Sequence, residues 1–227
     1  MNSRVIVFIV EGFSDKETLN SILSELYEDK KIIFSVVDGD ITTRHSTKID
    51  NIRSQIGECI NRVIQRDKIL KSDIDKVIHL IDTDGAFIKD VNVIYNEMNA
   101  LEYKEDGIYT SNVDGIKKRN AKKTEIVNLL STMTAIYKGK NSIPYFMFYM
   151  SCNLEHVLHN IQNAKDDEKV NLAEDLEDKY IDEPQKFVKF MSESDFTVQG
   201  SYKETWEFIK NGNNSLLRYS NFHLFFY

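Results

Sequence analysis

Proline, glycine and cysteine are all scarce in this chain, and each scarcity excludes a kind of structure. Two prolines and nine glycines among 227 residues leave little room for flexible linkers. The two cysteines, Cys59 and Cys152, provide neither metal-ligand spacing nor a disulfide framework. No stretch approaches the ~18 apolar residues of a membrane span. The first apolar run, residues 4–10, is too short for a secretory signal, and Glu11 follows it directly. We therefore expect a cytoplasmic protein without a membrane segment.

A surplus of positive charge is absent as well. The formal net charge of −7 argues against an unspecific nucleic-acid coat, because such proteins are usually basic overall. It does not exclude an enzyme that contacts phosphate through a bound metal. Hydrophobic residues at 41% and charged residues at 29% are typical of a soluble globular protein. The length allows one generous domain, or one domain with a small appendage.

Apolar runs bounded by turn residues alternate with helical patterns through the first two thirds of the chain. Strands are predicted at residues 4–10, 31–38, 76–82 and 145–151, with a weaker strand at 107–111. Helices are predicted at residues 14–27, 51–66, 91–101 and 122–137, and from residue 152 onward. Ser14 and Glu17 have the spacing of a capping box for the first helix. From about residue 166 the pattern is helical and charged, and it closes with an aromatic tail.

Strands separated by helices predict right-handed crossovers and a mostly parallel sheet. In such sheets the functional crevice lies beyond the carboxyl ends of the strands. Acidic residues gather at those ends: Glu11 follows the first strand, Asp82 and Asp84 close the third, and Glu155 follows the fourth. Carboxylates that converge there can hold one or two divalent ions about 4 Å apart and clamp a phosphodiester. Each aspartate alone also fits a turn or a helix cap.

The segment VIVFIVEGFSDKETLNSIL, followed by VIHLIDTDGAF, resembles the TOPRIM family of topoisomerases, bacterial primases and OLD-type nucleases. The sequence VEGFSD, placed before a helix, is most similar to the OLD-type and related phage-defence branch of this family. The resemblance covers roughly residues 4–160. It implies a Rossmann-like TOPRIM fold, which is an α/β fold with a mostly parallel central sheet flanked by helices. The catalytic domain would span residues 1–160, and residues 161–227 would form a helical C-terminal extension packed on it.

The resemblance also implies roles for individual residues. Glu11 would be a metal ligand or general acid–base residue, and Asp82 and Asp84 would be metal ligands. Glu155, in the segment YFMFYMSCNLEHVLHN, would bind a second ion. Asp15 stands where this branch is often acidic, although aspartate is favourable in the first turn of any helix. The implied cofactor is one or two Mg²⁺ or Mn²⁺ ions. The implied activity is a metal-dependent endonuclease in phage defence, with DNA favoured over RNA as substrate.

Two further polar segments flank these motifs. Asp38 and Asp40 are interpreted as a solvated turn around Gly39; alternatively the loop lines the crevice, and Arg44, His45 and Lys48 then reach phosphate. The densest basic segment contains Lys117, Lys118, Arg119, Lys122 and Lys123. It is predicted to bind nucleic-acid phosphates, and the alternative is a solvated helix surface. OLD-type nucleases also carry a lysine near their metals, but no motif indicates which lysine would serve.

Other functions remain as alternatives. LIDTDGAF also resembles the opening motif of haloacid-dehalogenase-type phosphatases, but here two strands precede it and Ala86 follows Gly85. The chain contains no GxxxxGK[ST] segment, so a nuclease would act alone or with a separate ATPase or sensor protein. A primase is disfavoured because zinc-binding cysteines are lacking, and a topoisomerase because no nucleophilic tyrosine domain is visible. Trp206 and the aromatic tail are expected in the core of the C-terminal extension or in a homodimer contact.

Overall fold

The computed structural model describes residues 4–37, 39–97, 101–137, 139 and 142–227, and its central feature is a mostly parallel β-sheet. Eight strands are present in the described part: β1 (Arg4–Val10), β2 (Lys30–Val36), β3 (Ile74–Asp82), β4 (Val93–Tyr95), β5 (Glu102–Lys104), β6 (Gly107–Thr110), β7 (Ala135–Ile136) and β8 (Ile143–Met150). The central sheet has the order β2-β1-β3-β8-β7. Its first four members run parallel, and the two-residue strand β7 is antiparallel to β8.

Helices cover both faces of the central sheet. They are α1 (Phe13–Leu26), α2 (Ile52–Asp67), α3 (Val113–Leu130), α4 (Leu154–His159), α5 (Asp166–Tyr180), α6 (Pro184–Glu193) and α7 (Tyr202–Ile209). Successive residues of a strand point to opposite faces. In β1, Val5, Val7 and Ile9 therefore enter the core under α2 and α3, whereas Ile6 and Phe8 enter the core under α1 and α6. This two-sided burial explains why β1 is apolar at every position after Arg4.

A smaller sheet lies between β3 and α3 in the sequence. Its order is β4-β6-β5, with β4 parallel and β5 antiparallel to β6. It packs around Ile88, Ile108 and Leu216 as a satellite of the main cores. The predicted helix at 91–101 is therefore wrong: a 3₁₀ turn at Asp90–Asn92 leads into β4, and residues 98–100 lie outside the described residues.

Two helix starts also differ from the predictions. α1 begins at Phe13, and the Asp15 carboxylate caps it by accepting the Gly12 N–H at 2.9 Å, so the Ser14–Glu17 capping box is wrong. α3 begins at Val113, nine residues before the predicted start, because the Asn112 side chain accepts the Gly115 N–H at 3.0 Å. The whole basic segment therefore lies within α3, whereas the predicted helix included only Lys122 and Lys123 of it.

The chain after residue 160 contributes to both cores. Trp206 and Ile209 of α7 join the core under α2, and Phe187 of α6 joins the opposite core. The aromatic tail forms a 3₁₀ turn at Phe222–Phe226, in which Phe222 and Phe225 are buried beside β1, while Tyr227 is exposed. Among the described residues, no helix combines the length and the apolar character that crossing a membrane requires.

Candidate metal centre

The carboxyl edge of the central sheet gathers acidic side chains from several elements. Glu11 follows β1, Asp82 is the last residue of β3, and the loop after β2 carries Asp40. Two more acidic residues lie in the first turns of helices, Asp15 in α1 and Glu155 in α4. The resulting acidic cluster consists of Glu11, Asp15, Asp40, Asp82, Asp84 and Glu155, which interact electrostatically with one another.

Three members of the acidic cluster form a compact group around a lysine. Glu11, Asp40 and Asp84 each offer an oxygen atom, and these atoms lie within 4.8 Å of one another. The Lys123 Nζ atom lies 2.5 Å from Asp84 Oδ2, 2.9 Å from Asp40 Oδ2 and 3.6 Å from Glu11 Oε1. The Lys123 side chain has no exposed area. We call Glu11, Asp40 and Asp84 the metal triad, because three converging carboxylates can hold a divalent ion.

The other three carboxylates, those of Asp15, Asp82 and Glu155, lie next to the triad, and Lys169 is the lysine beside them. Lys169 Nζ of α5 is 3.7 Å from Glu155 Oε1. Burial raises the pKa of Asp15 to about 6, and the Glu155 charge adds to this effect. Burial also raises the pKa of Asp82 well above its ordinary value, and four carboxylates reinforce the rise, namely Glu11, Asp15, Asp84 and Glu155. Asp82 therefore belongs to the acidic cluster but not to the compact triad.

The acidic cluster carries more negative charge than its lysines neutralise. Among the described residues, the cations beside the six carboxylates are Lys123, Lys169 and Arg119, whose charge acts on Asp84 and Asp40, so three negative charges are in excess if all are ionised. Burial raises the pKa of Glu11 well above its ordinary value, although Lys123 opposes the rise. Within the described residues, Glu11 Oε1 and Asp40 Oδ2 are buried and accept no hydrogen bond beyond their ion contacts with Lys123. Bare carboxylate oxygens in excess are the ligands that Mg²⁺ and Mn²⁺ prefer, so the donor set fits a hard divalent ion.

The turn that presents Asp84 is fixed by the C-terminal part of the chain. Asp84 has a left-handed φ of 47°, and its N–H donates to Cys152 O at 2.9 Å. The Thr83 hydroxyl donates to Ser215 O at 2.6 Å and accepts the Cys152 N–H at 2.8 Å. Since β3 and β8 end side by side, these bonds tie both strand ends to the segment around Ser215. The triad aspartate is thereby held in a backbone conformation that a free chain rarely adopts.

Gly85 allows α3 to approach this turn closely. A Cβ atom at Gly85 would lie 2.4 Å from Asn120 Nδ2 and 2.5 Å from Ile108 Cδ1. Both contacts are shorter than van der Waals distance, so no larger residue fits without displacing a side chain. The glycine of the DTDG motif therefore determines how near α3, and with it Lys123, comes to Asp84.

The structure places Asp40 in the site, so its interpretation as a solvated turn residue is wrong. Its side chain is only 12% exposed, and Oδ1 accepts the N–H and the hydroxyl of Thr42 at 2.7 and 2.5 Å. Burial by itself would raise the pKa of Asp40, but Lys123 and the Thr42 hydrogen bonds lower it below its ordinary value. Lys122 holds the same loop by donating to the Thr43 and Arg44 carbonyl oxygens. Asp38 lies outside the described residues.

The basic segment does not form the single surface patch that the sequence predicts. Lys123 is turned inward, because three carboxylates compensate for the removal of its ammonium group from water. Lys122 binds backbone carbonyl groups, and Arg119 donates to the Tyr103 hydroxyl and to Asn120. Lys118 is exposed and Lys117 is half-buried. The side chains available to solvent on this helix are therefore fewer than the sequence predicts.

Comparison of the chain with protein-family models, curated proteins and solved structures finds no match. The geometry of the acidic cluster is therefore what indicates a functional site in this chain. Sequence reasoning did not assign Asp40 and Lys123 to this cluster. A signal for Asp40 existed, since it follows a strand adjacent to β1, whereas nothing in the local sequence distinguishes Lys123 from its basic neighbours.

Proposed function

We propose that this protein is a divalent-metal-dependent nuclease of the TOPRIM type, which hydrolyses phosphodiester bonds in nucleic acid with Mg²⁺ or Mn²⁺. The proposal rests on the acidic cluster, in which six buried or partly buried carboxylates outnumber the cations beside them at the carboxyl edge of a parallel sheet. A buried excess of this kind is costly unless protons or cations bind there. The Glu-Gly and DxD motifs that resemble the TOPRIM family supply three of the six carboxylates, namely Glu11, Asp82 and Asp84.

Roles follow from the two halves of the acidic cluster. Glu11, Asp40 and Asp84 would hold one ion, and Asp82, Asp15 and Glu155 would hold a second. A divalent ion bound there polarises the phosphate and lowers the pKa of a water nucleophile. This list of ligands keeps all five residues that the sequence suggested and adds Asp40.

Glu11 and Lys123 would have roles other than metal binding, Glu11 in proton transfer and Lys123 in compensating negative charge. Burial raises the pKa of Glu11 well above its ordinary value, so Glu11 is the candidate for a general acid–base residue, as the alternative to its role as a metal ligand. Lys123 holds the triad carboxylates in one orientation, so the ligands are pre-organised before an ion arrives. In this proposal Lys123 is the counterpart of the lysine that OLD-type nucleases carry near their metals. A role in phage defence follows from the same resemblance.

Cleavage assays test the proposal. Purified protein should nick supercoiled plasmid or degrade DNA and RNA single strands with MnCl₂ or MgCl₂, and not with EDTA. Glu11→Gln and Asp84→Asn should each lower the cleavage rate by about 100-fold or more, because each removes a group that stabilises the transition state. Glu125→Gln, an exposed acidic position on α3, is the matched control and should stay within about twofold of wild type. Cutting that survives the double substitution would overturn the proposal.

Two other outcomes would identify other functions. Hydrolysis of p-nitrophenyl phosphate with intact plasmid would indicate a phosphatase that uses the DxD motif. Silence of the isolated chain, followed by metal-dependent cutting when a separate ATPase or sensor is supplied, would indicate a partner-dependent component. In that second case the variants Glu11→Gln and Asp84→Asn should still abolish cutting by the assembled complex.

A further inference from the structure

Arg119 lies at the rim of the acidic cluster and is oriented by neutral groups. Its Nε and Nη2 atoms donate to Asn120 Oδ1 at 3.3 and 3.1 Å, and Nη2 also donates to Tyr103 Oη at 3.1 Å. Within the described residues, Arg119 forms no ion pair with a carboxylate. Neutral side chains therefore fix the orientation of the half-buried guanidinium group, and the charges of Asp84 and Asp40 act on it without direct contact.

Tyr103 connects this guanidinium group to the metal triad. Its hydroxyl accepts from Arg119 and donates to Asp84 Oδ1 at 3.1 Å, while Lys123 holds Asp84 Oδ2 at 2.5 Å. The Tyr103 backbone is anchored in turn, because Asn163 exchanges two hydrogen bonds with its N–H and C=O groups. Arg119 and Lys123 are four residues apart on α3 and so lie on one helix face.

A polyanion that approaches the acidic cluster needs a fixed positive charge beside it. The chain has a net charge of −7, and the cluster itself repels phosphate until metal binds. Lys123 cannot provide that charge to a ligand, since it is fully buried among carboxylates. The hydrogen bonds that Arg119 makes with described residues use its Nε and Nη2 atoms, so the two N–H groups of Nη1 can donate to a phosphate oxygen from a guanidinium group that is already oriented before any ligand binds.

We propose that Arg119 binds the non-bridging oxygens of a substrate phosphate beside the metal triad, and that Tyr103 is a positioning residue that orients Arg119 and Asp84 together. This inference rests on the proposed function and specifies how its substrate is held. It separates Arg119 from the other basic residues of α3: Lys118 is exposed and has no such fixed orientation.

Separate measurements of single-stranded DNA binding and of metal binding test the proposal. A fluorescent single-stranded DNA of 20 nucleotides is titrated with protein in CaCl₂, and anisotropy reports its affinity. Arg119→Gln should weaken binding by about 10- to 100-fold and make the salt dependence of binding shallower by about one unit of slope. Arg119→Lys, which keeps the charge but loses the planar group that Asn120 and Tyr103 orient, should lie between wild type and Arg119→Gln. The control Lys118→Gln, one residue earlier, should change affinity by less than about threefold.

Calorimetric titration with MnCl₂ alone separates the two roles. Arg119→Gln should keep the Mn²⁺ affinity of wild type, whereas Tyr103→Phe should weaken both Mn²⁺ and strand binding, because Asp84 loses its hydroxyl partner. Wild-type strand affinity in Arg119→Gln, or loss of its Mn²⁺ binding as well, would overturn the phosphate contact alone. Wild type that binds Mn²⁺ but neither DNA nor RNA would overturn the proposed function, and the phosphate contact with it.

Discussion

Lys123 offers the sharpest test of the electrostatics of the site. Lys123→Met removes the ammonium group and keeps most of the side-chain volume. The group contacts three carboxylates at 2.5, 2.9 and 3.6 Å. At an effective dielectric constant of about 20, one contact near 3 Å contributes roughly 5 kcal/mol of attraction. Desolvation of the buried charges offsets much of the attraction from the three contacts. Removal of the Lys123 ammonium group should therefore lower the free energy of unfolding by about 3–5 kcal/mol.

The predicted loss depends on pH and on metal. For a chain of this length, about 1 kcal/mol corresponds to roughly 2–4 °C, so Lys123→Met should melt on the order of 10 °C below wild type in EDTA at pH 7.5. The difference should shrink as the pH is lowered, because burial raises the pKa of Glu11 and protonation of the triad removes the negative charge that Lys123 compensates. It should also shrink in 5 mM MgCl₂, because a divalent ion replaces the missing cation.

Thermal melts monitored by circular dichroism measure this effect. Lys118→Met, on the same helix but exposed, should change stability by no more than about 0.5 kcal/mol. If Lys123→Met does not fold, the double variant with Asp40→Asn should fold better, since it removes one uncompensated carboxylate. Wild-type melting of Lys123→Met in EDTA, or a defect that neither acid nor Mg²⁺ reduces, would show that Lys123 does not compensate the charge of the metal triad.

Three further predictions concern the same edge of the sheet. Asp82→Asn should leave the metal-free protein as stable as wild type or slightly more so, and should remove most of the rise in Tm that Mn²⁺ causes in thermal melts. The folded-state pKa values of Glu11, Asp15 and Asp82 are raised, Asp15 to about 6, so the folded state binds more protons than the unfolded state. Their contribution to stability in EDTA should therefore fall as pH rises from about 4 through 6 and beyond, and a Tm that rises over this range in wild type but not in Asp82→Asn would contradict the assignment. Gly85→Ala should lower stability by about 1–3 kcal/mol in urea titrations because of its short contacts, whereas Gly57→Ala, inside α2 with ordinary contacts, should be neutral or stabilising.

Much of the sheet could be predicted from the sequence because its strands are buried on both faces. The predicted strand at 4–10 is confirmed as β1, and the strands at 76–82 and 145–151 are confirmed within two residues as β3 and β8. The failures involve pairing between distant residues. Val93–Tyr95 is a strand because β6 supplies its hydrogen-bond partners, and a local helical pattern cannot reveal that partner.

Only the site residues at or next to the ends of strands could be predicted from the sequence pattern. Glu11, Asp82 and Asp84 follow apolar strands directly, so their gathering at one edge follows from a parallel sheet. Asp40 reaches the cluster through a loop that Lys122 and Lys123 hold from 80 residues away in sequence. The inward direction of Lys123 depends on the approach of α3 to Gly85, which is a tertiary contact. The position of a helix against a turn cannot be deduced from the periodicity of either segment.

Anomalous diffraction from a crystal of the protein soaked in MnCl₂ would locate the bound metal. We expect at least one manganese peak in direct contact with carboxylate oxygens of the metal triad, and loss of that peak in Asp84→Asn. A second peak, if present, should lie beside Asp82 and Glu155. Manganese peaks only at sites away from the acidic cluster, or an unchanged peak in Asp84→Asn, would contradict the assignment of this cluster as the metal centre.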